Sequence, residues 1–159
     1  MHIKNATIED FAAVNEIYIK ARQFMKSMDN DQWGDVYPDE ATIRSDTSSG
    51  SLYLCIHEAE IAAVFMFTKG PDPDYIRLDT GAWLNEDDYC VVHRLASSGI
   101  CPGAAKYCLD WAFEQSGNIR IDTYGKNLPM QSLLKKCGFE FCGTFERIEM
   151  TWLAYQRIK

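Results

Sequence analysis

Apolar residues recur along this chain with two periods, 3.6 and 2, and the changes between them divide it into elements. A short extended segment, His2 to Ala6, opens the sequence. Phe11, Val14, Ile17, Tyr18 and Ala21 then share one helical face, which predicts a helix from about Ile8 to Met25. Thr7 stands as its N-cap, with Asp10 three residues on as a variant capping box. Pro38 and Asp39 start a shorter helix through about Ser48, ending near Gly50. Leu52–His57 and Ile61–Thr68, rich in strand formers and separated by Glu58-Ala59-Glu60, read as a hairpin. Gly70–Asp74, with two prolines, is a loop, and Ile76–Trp83 is expected to add an irregular strand.

The second half alternates strand and helix. Tyr89–Ala96 contains Cys90-Val91-Val92, an apolar run suited to a central strand. After the small residues of Ser97–Gly103, Ala105, Cys108, Leu109 and Ala112 recur at i, i+3, i+4 and i+7, with Gly117 as the stop. Asn118–Thr123 reads as a strand. Asn127 caps a helix carrying Met130, Leu133, Leu134 and Cys137 on one face, ended by Gly138. Phe139–Phe145 and Glu149–Tyr155 form a last hairpin. The order predicts an α/β (α+β) fold: a mixed, mostly antiparallel sheet of about 6–7 strands flanked by about four helices.

Composition narrows the classes. The 159 residues are 47% hydrophobic and 25% charged, ordinary globular proportions, and point to one domain over 1–159. No apolar run approaches the roughly 20 residues of a membrane-spanning helix. The N-terminus lacks the basic-then-apolar layout of a signal peptide, so a cytoplasmic location is expected. A formal charge of −7 argues against nucleic acid as a partner and is compatible with a cationic acceptor. The six cysteines form no C-x-x-C pair and sit mostly in apolar segments, as free thiols do in a reducing compartment; no metal site is expected.

The chemically informative stretch is His93-Arg94-Leu95-Ala96-Ser97-Ser98-Gly99-Ile100-Cys101-Pro102-Gly103-Ala104-Ala105-Lys106. A strand runs here into a small-residue loop and then a helix, whose free N–H groups and positive dipole end favour a phosphate. Packing alone also produces such turns. With Asn127 and the closing Gly138-Phe139 at the right separation, the chain resembles the GNAT superfamily of acetyl-CoA-dependent N-acetyltransferases. The resemblance covers the whole element order. It implies acetyl-CoA (coenzyme A) as cofactor, with Leu95 and Ser97 pairing its pantetheine arm through their backbones. Amides of Cys101, Gly103, Ala104, Ala105 and Lys106 would hold the pyrophosphate. The His93 N–H would polarise the acetyl carbonyl. Asn127 would approach the arm, and Ala96 and Met130 complete the implied contact set.

Three positions depart from the family pattern. Ile100 replaces an Arg or Gln, Pro102 removes a loop N–H, and Leu134 replaces the Tyr that in many members protonates the departing thiolate. Candidate bases are Tyr89 and, four residues on, His93, an imidazole being the side-chain type best suited to proton exchange near neutral pH. A packing aromatic and a structural histidine are the plain alternatives. Tyr124 is a candidate substitute acid. Phe24, Trp33 and Tyr37 are expected along one wall of the acceptor pocket, where Trp33 and Tyr37 with Asp31 and Asp35 would receive an amine. Cys101 reads as a small residue or a redox-sensitive thiol. The expected activity is acetylation of a small-molecule primary amine. A peptide or protein N-acetyltransferase and a catalytically weak acetyl-CoA sensor are the other readings, and a homodimer is possible by the same resemblance.

Overall fold

The computed structural model describes residues 1–159. Eight strands form one sheet: β1 (His2–Asn5), β2 (Leu52–His57), β3 (Glu60–Lys69), β4 (Thr80–Gly81), β5 (Cys90–Ser97), β6 (Asn118–Tyr124), β7 (Glu140–Arg147) and β8 (Met150–Ile158). Four helices cover it: α1 (Phe11–Ser27), α2 (Glu40–Ser48), α3 (Ala104–Ser116) and α4 (Leu128–Lys136). The sheet order is β1-β2-β3-β5-β6-β8-β7-β4. Every pairing is antiparallel except β5 with β6.

Local chemistry sets the element ends. Asp10 accepts from the Thr7 N–H (2.8 Å) and hydroxyl (3.1 Å), so a short 3₁₀ turn precedes α1. Asp39 caps α2 through the Thr42 N–H, and Asn127 caps α4 through the Met130 N–H. The sheet holds more strands than expected because β1 and β4 add short edges. The strand expected over Ile76–Trp83 is reduced to Thr80–Gly81, beside β7. Only glycines permit that approach, since a Cβ on Gly143 would lie 1.8 Å from the Thr80 carbonyl oxygen.

Alternating residues feed different cores on the two faces. On β3, Ala63 and Phe65 join Leu109 and Ala112 of α3, whereas Val64 joins Val14 and Ile17 of α1. A third cluster gathers Tyr75, Val91, Phe145 and Trp152.

Two irregularities in β5 shape the middle of the sheet. His93 pairs with Met66 and Ala96 with Val64, so Phe65 opposes both Arg94 and Leu95. Arg94, at φ 54°, is the inserted residue of this β-bulge. The insertion reverses parity: Val92 packs in the α3 core, yet Ala96 packs in the α1 core. The second irregularity is divergence. β5 and β6 pair only at Cys90–Ile119 and Val91–Arg120, and beyond Val91 the strands separate.

Candidate active site

The divergence opens a cavity of about 1140 Å³ through the middle of the molecule. His93 to Ser97 line it from β5, Ile121 to Thr123 from β6, and Asn127, Met130 and Leu133 from the α4 side. Phe24 from α1 and Trp33 and Tyr37 from the following loop form a further wall. Trp33 packs edge-on against both Tyr18 (5.7 Å) and Tyr37 (6.4 Å).

His93 is the centre of the polar groups. Its Nε2 lies 2.8 Å from Asp72 Oδ2, with the two side chains 16% and 17% exposed. Asp72 is fixed in turn: its other oxygen accepts from the Asp74 N–H at 2.9 Å, and its own N–H donates to the Tyr89 hydroxyl at 3.0 Å. Burial pushes the Asp72 carboxyl up, but the His93 and Asp74 hydrogen bonds outweigh it and hold the group below the usual carboxylate range. Nearby, the Tyr75 hydroxyl donates to Asp122 Oδ2 at 2.8 Å, and Arg147 bridges Asp74 (2.5 Å) and Asp122 (3.9 Å). Burial raises both the Asp122 carboxyl and, strongly, the Tyr75 hydroxyl.

Arg94, the next residue after His93, is held elsewhere. Its guanidinium meets Asp46 of α2 at 2.7 Å and donates to the Tyr37 hydroxyl at 2.7 Å, while its carbonyl accepts from Tyr18 at 3.1 Å. Burial raises the Asp46 carboxyl even against the pull of Arg94. These contacts fix the bulge and the Tyr37 wall together.

On the other side the cavity reaches the start of α3. Gly103, at φ 85°, occupies the N-cap position and gives the helix no side-chain cap. The N–H groups of Cys101, Gly103, Ala105 and Lys106 make no backbone hydrogen bond. A Cβ on Gly99 or Gly103 would meet nothing within 4 Å, so the turn is open to a ligand. The edge of β5 facing β6 is likewise unpaired beyond Val91.

Of the residues singled out in the sequence, His93, Leu95, Ala96, Ser97, Ala105, Asn127, Met130, Phe24, Trp33 and Tyr37 line the cavity. Cys101, Gly103, Ala104 and Lys106 lie at the helix start outside its lining, and the Lys106 ammonium pairs with Asp110 one turn on. Tyr89 also lies outside the lining, its hydroxyl committed to Asp72 and its ring under the Arg120 guanidinium at 4.0 Å. Tyr124 lies outside the lining and packs on Trp152, which is part of it, centroids 6.3 Å apart. Leu134 is fully buried in the α3 core. All six cysteines are free thiols, four of them buried.

Sequence reasoning passed over Asp72, Asp74, Tyr75, Asp122, Arg94 and Arg147. Two signals were present. Pro71-Asp72-Pro73-Asp74 places two carboxylates behind rigid prolines, and Asp122 is an acid inside an apolar strand, which requires a buried partner.

A central sheet split between two parallel strands, with an uncapped helix start at the split, offers one ligand both a free strand edge and an anion site. A model of the Acetyltransferase (GNAT) family matches residues 13–139, and the chain belongs to that family. Among solved structures it is similar to an acetyltransferase of the GNAT family from Streptococcus agalactiae 2603: 28% identity, TM-score 0.93, 99% of this chain and 95% of that one. It is similar in fold to a GNAT-family acetyltransferase from Listeria monocytogenes 4b F2365, at 20% identity and TM-score 0.72, covering 98% and 93% of the two chains. The same holds for YncA from Salmonella typhimurium, whose structure contains its cofactor acetyl-CoA, at 13% identity and TM-score 0.67, covering 100% and 94%. No curated protein matches the sequence.

Proposed function

We propose that this chain transfers an acetyl group from acetyl-CoA to the primary amine of a small molecule, with His93 as proton acceptor. The observation that carries the reading is the His93–Asp72 pair, 2.8 Å apart, at the mouth of the β5–β6 divergence.

The site fits the cofactor on three counts. The uncapped first turn of α3, with its unpaired N–H groups, suits a pyrophosphate. The free edge of β5 suits an extended amide-bearing arm, which would add to it as a strand does. The divergence leaves room for that arm between the strands. When bound, acetyl-CoA supplies an activated thioester carbonyl for a neutral amine to attack.

The chain's own residues then handle the proton. Asp72, an ionised carboxylate, accepts from Nε2–H of His93 and so leaves the ring's lone pair on Nδ1. That nitrogen takes the proton of the attacking amine, Asp72 stabilises the resulting imidazolium, and the proton passes by way of solvent to the thiolate that leaves as the thioester C–S bond breaks. Asp31, which lines the same cavity, favours an acceptor that arrives as a cation and gives up a proton to solvent before it attacks. Trp33 and Tyr37 offer ring faces to it.

Leu134 favours a second reading, a domain that binds acetyl-CoA without turnover, because an aliphatic residue buried in the core donates no proton to a thiolate. Thiol release from acetyl-CoA over a panel of amines, amino acids and polyamines, beside a cofactor titration, separates the two. Acceptor-dependent release supports the transferase and binding without release supports the sensor. Absence of binding overturns both.

A further inference from the structure

The segment that carries Asp72 is not held by a helix or a strand. From Gly70 to Tyr75 it is a loop with one 3₁₀ turn, and its approach to His93 depends on what lies beneath it. Beneath it is Tyr89. The Tyr89 carbonyl accepts from the Gly70 N–H at 2.9 Å, and the Tyr89 hydroxyl accepts from the Asp72 N–H at 3.0 Å. The ring lies so close to the loop that a Cβ on Gly70 would sit 2.7 Å from it. On another side the Arg120 guanidinium lies 4.0 Å from the Tyr89 ring and 4.3 Å from that of Trp83. Arg120 is nearly buried, its Nη2 donates to the Asn85 carbonyl at 2.7 Å, and its Nε has no partner at all. A guanidinium kept in this position by two aromatic faces is a clamp on the tyrosine.

We infer that Tyr89, clamped by Arg120, is a positioning residue that aims Asp72 at His93 and thereby fixes which ring nitrogen of His93 carries the proton. The inference rests on the reading of His93 as the proton acceptor and adds a residue that touches neither substrate nor cofactor. Tyr89 immediately precedes β5 and His93 lies four residues on, with regular register from Cys90 to His93, so one short stretch of chain carries both the base and the post for its partner. The phenol works here as an acceptor for a backbone N–H, a role phenylalanine cannot fill.

The test reads the tautomer of His93 by ¹⁵N NMR of the ring nitrogens in alkaline buffer, with no ligand added. The chain has three histidines, His2, His57 and His93, so His93→Gln assigns the signal. In the native protein His93 is expected with Nε2 protonated and Nδ1 bare. Asp72→Asn and Tyr89→Phe are each expected to draw the two ¹⁵N shifts together, toward the averaged values of a free imidazole. Gly70→Ala, which pushes the loop off the ring without removing the hydroxyl, is expected to do the same. If Asp72→Asn moves the shifts while Tyr89→Phe and Gly70→Ala leave them as in the native protein, the role of Tyr89 is overturned. If Asp72→Asn leaves them unmoved, the whole relay falls. Acetyl-CoA titration and thiol release on the same samples decide the functional reading separately, because the tautomer is measured without cofactor.

Discussion

His93 and Arg94 are consecutive, and each reaches a partly buried aspartate from another segment: Asp72 at 2.8 Å for the first, Asp46 at 2.7 Å for the second. The β-bulge at Arg94 lets both side chains find partners, Asp72 in the cavity wall and Asp46 outside it on α2. The chemistry of the two pairs differs. A guanidinium never gives up its proton in a protein, so Arg94–Asp46 only holds things together: α2, the bulge and, through its hydroxyl, Tyr37. An imidazole does exchange its proton, and the carboxylate beside it decides where that proton sits. On the proposed reading, one strand therefore carries an architectural pair and a chemical pair side by side. The identity of the donor, and not the geometry of the contact, separates them.

Substitutions sharpen that contrast. The largest effect is expected at His93 itself. With an amine identified by thiol release, His93→Gln should lower kcat on the order of 10²- to 10⁴-fold, the usual worth of a general base, with little change in melting temperature. Asp46→Ala should behave the opposite way. Removing one partner of a buried pair strands the other charge, at a cost of about 3 kcal/mol. For a chain of this length that is a fall in Tm on the order of 10 °C, read by calorimetry. An Asp46→Ala protein that melts like the native one would remove Arg94–Asp46 from the architecture. Smaller again is Asp72→Asn, which keeps the base and loses the carboxylate that sets its tautomer and stabilises its imidazolium. A fall in kcat of about tenfold is expected, with KM nearly unchanged.

The two pairs were not equally legible in the sequence. Helices and strands declared themselves through periodicity, and the small-residue turn before α3 through composition, because those signals are local. His93 was visible as a titratable residue on a strand before that turn. Its partner was not, because Asp72 lies 21 residues earlier in a segment without period, and loop paths depend on tertiary contacts such as Tyr89 beneath Gly70. The bulge at Arg94 was equally hidden. Nothing in Val92-His93-Arg94-Leu95-Ala96 marks an inserted residue, and only the alignment of Phe65 across the ladder reveals it. Tyr89 was a candidate base by resemblance to family members that carry a Glu or His there, with strand parity relating it to His93 four residues on. Parity is silent on the loop that covers its hydroxyl.

The smallest expected effect is also the one that compares the pairs most directly, through pH. The Asp72 carboxyl is held below the usual range by the His93 and Asp74 hydrogen bonds, which outweigh burial. Its ionised form therefore stabilises the fold above the unfolded carboxylate value, and that contribution is lost as pH falls through the folded value. The Asp46 carboxyl is raised by burial, which outweighs Arg94. Its contribution runs the other way, present in full below the unfolded value and lost as pH rises through the folded one. Unfolding free energy measured by urea titration from neutral pH down through the carboxylate range should show this in two differences. The stability gap between native protein and Asp72→Asn should narrow on acidification, as the native carboxylate is protonated. The native protein should gain relative to Asp46→Asn over the same descent. Two gaps that move in parallel would mean that the donor beside each carboxylate, and not its burial, sets the sign, and that the two pairs are electrostatically alike after all.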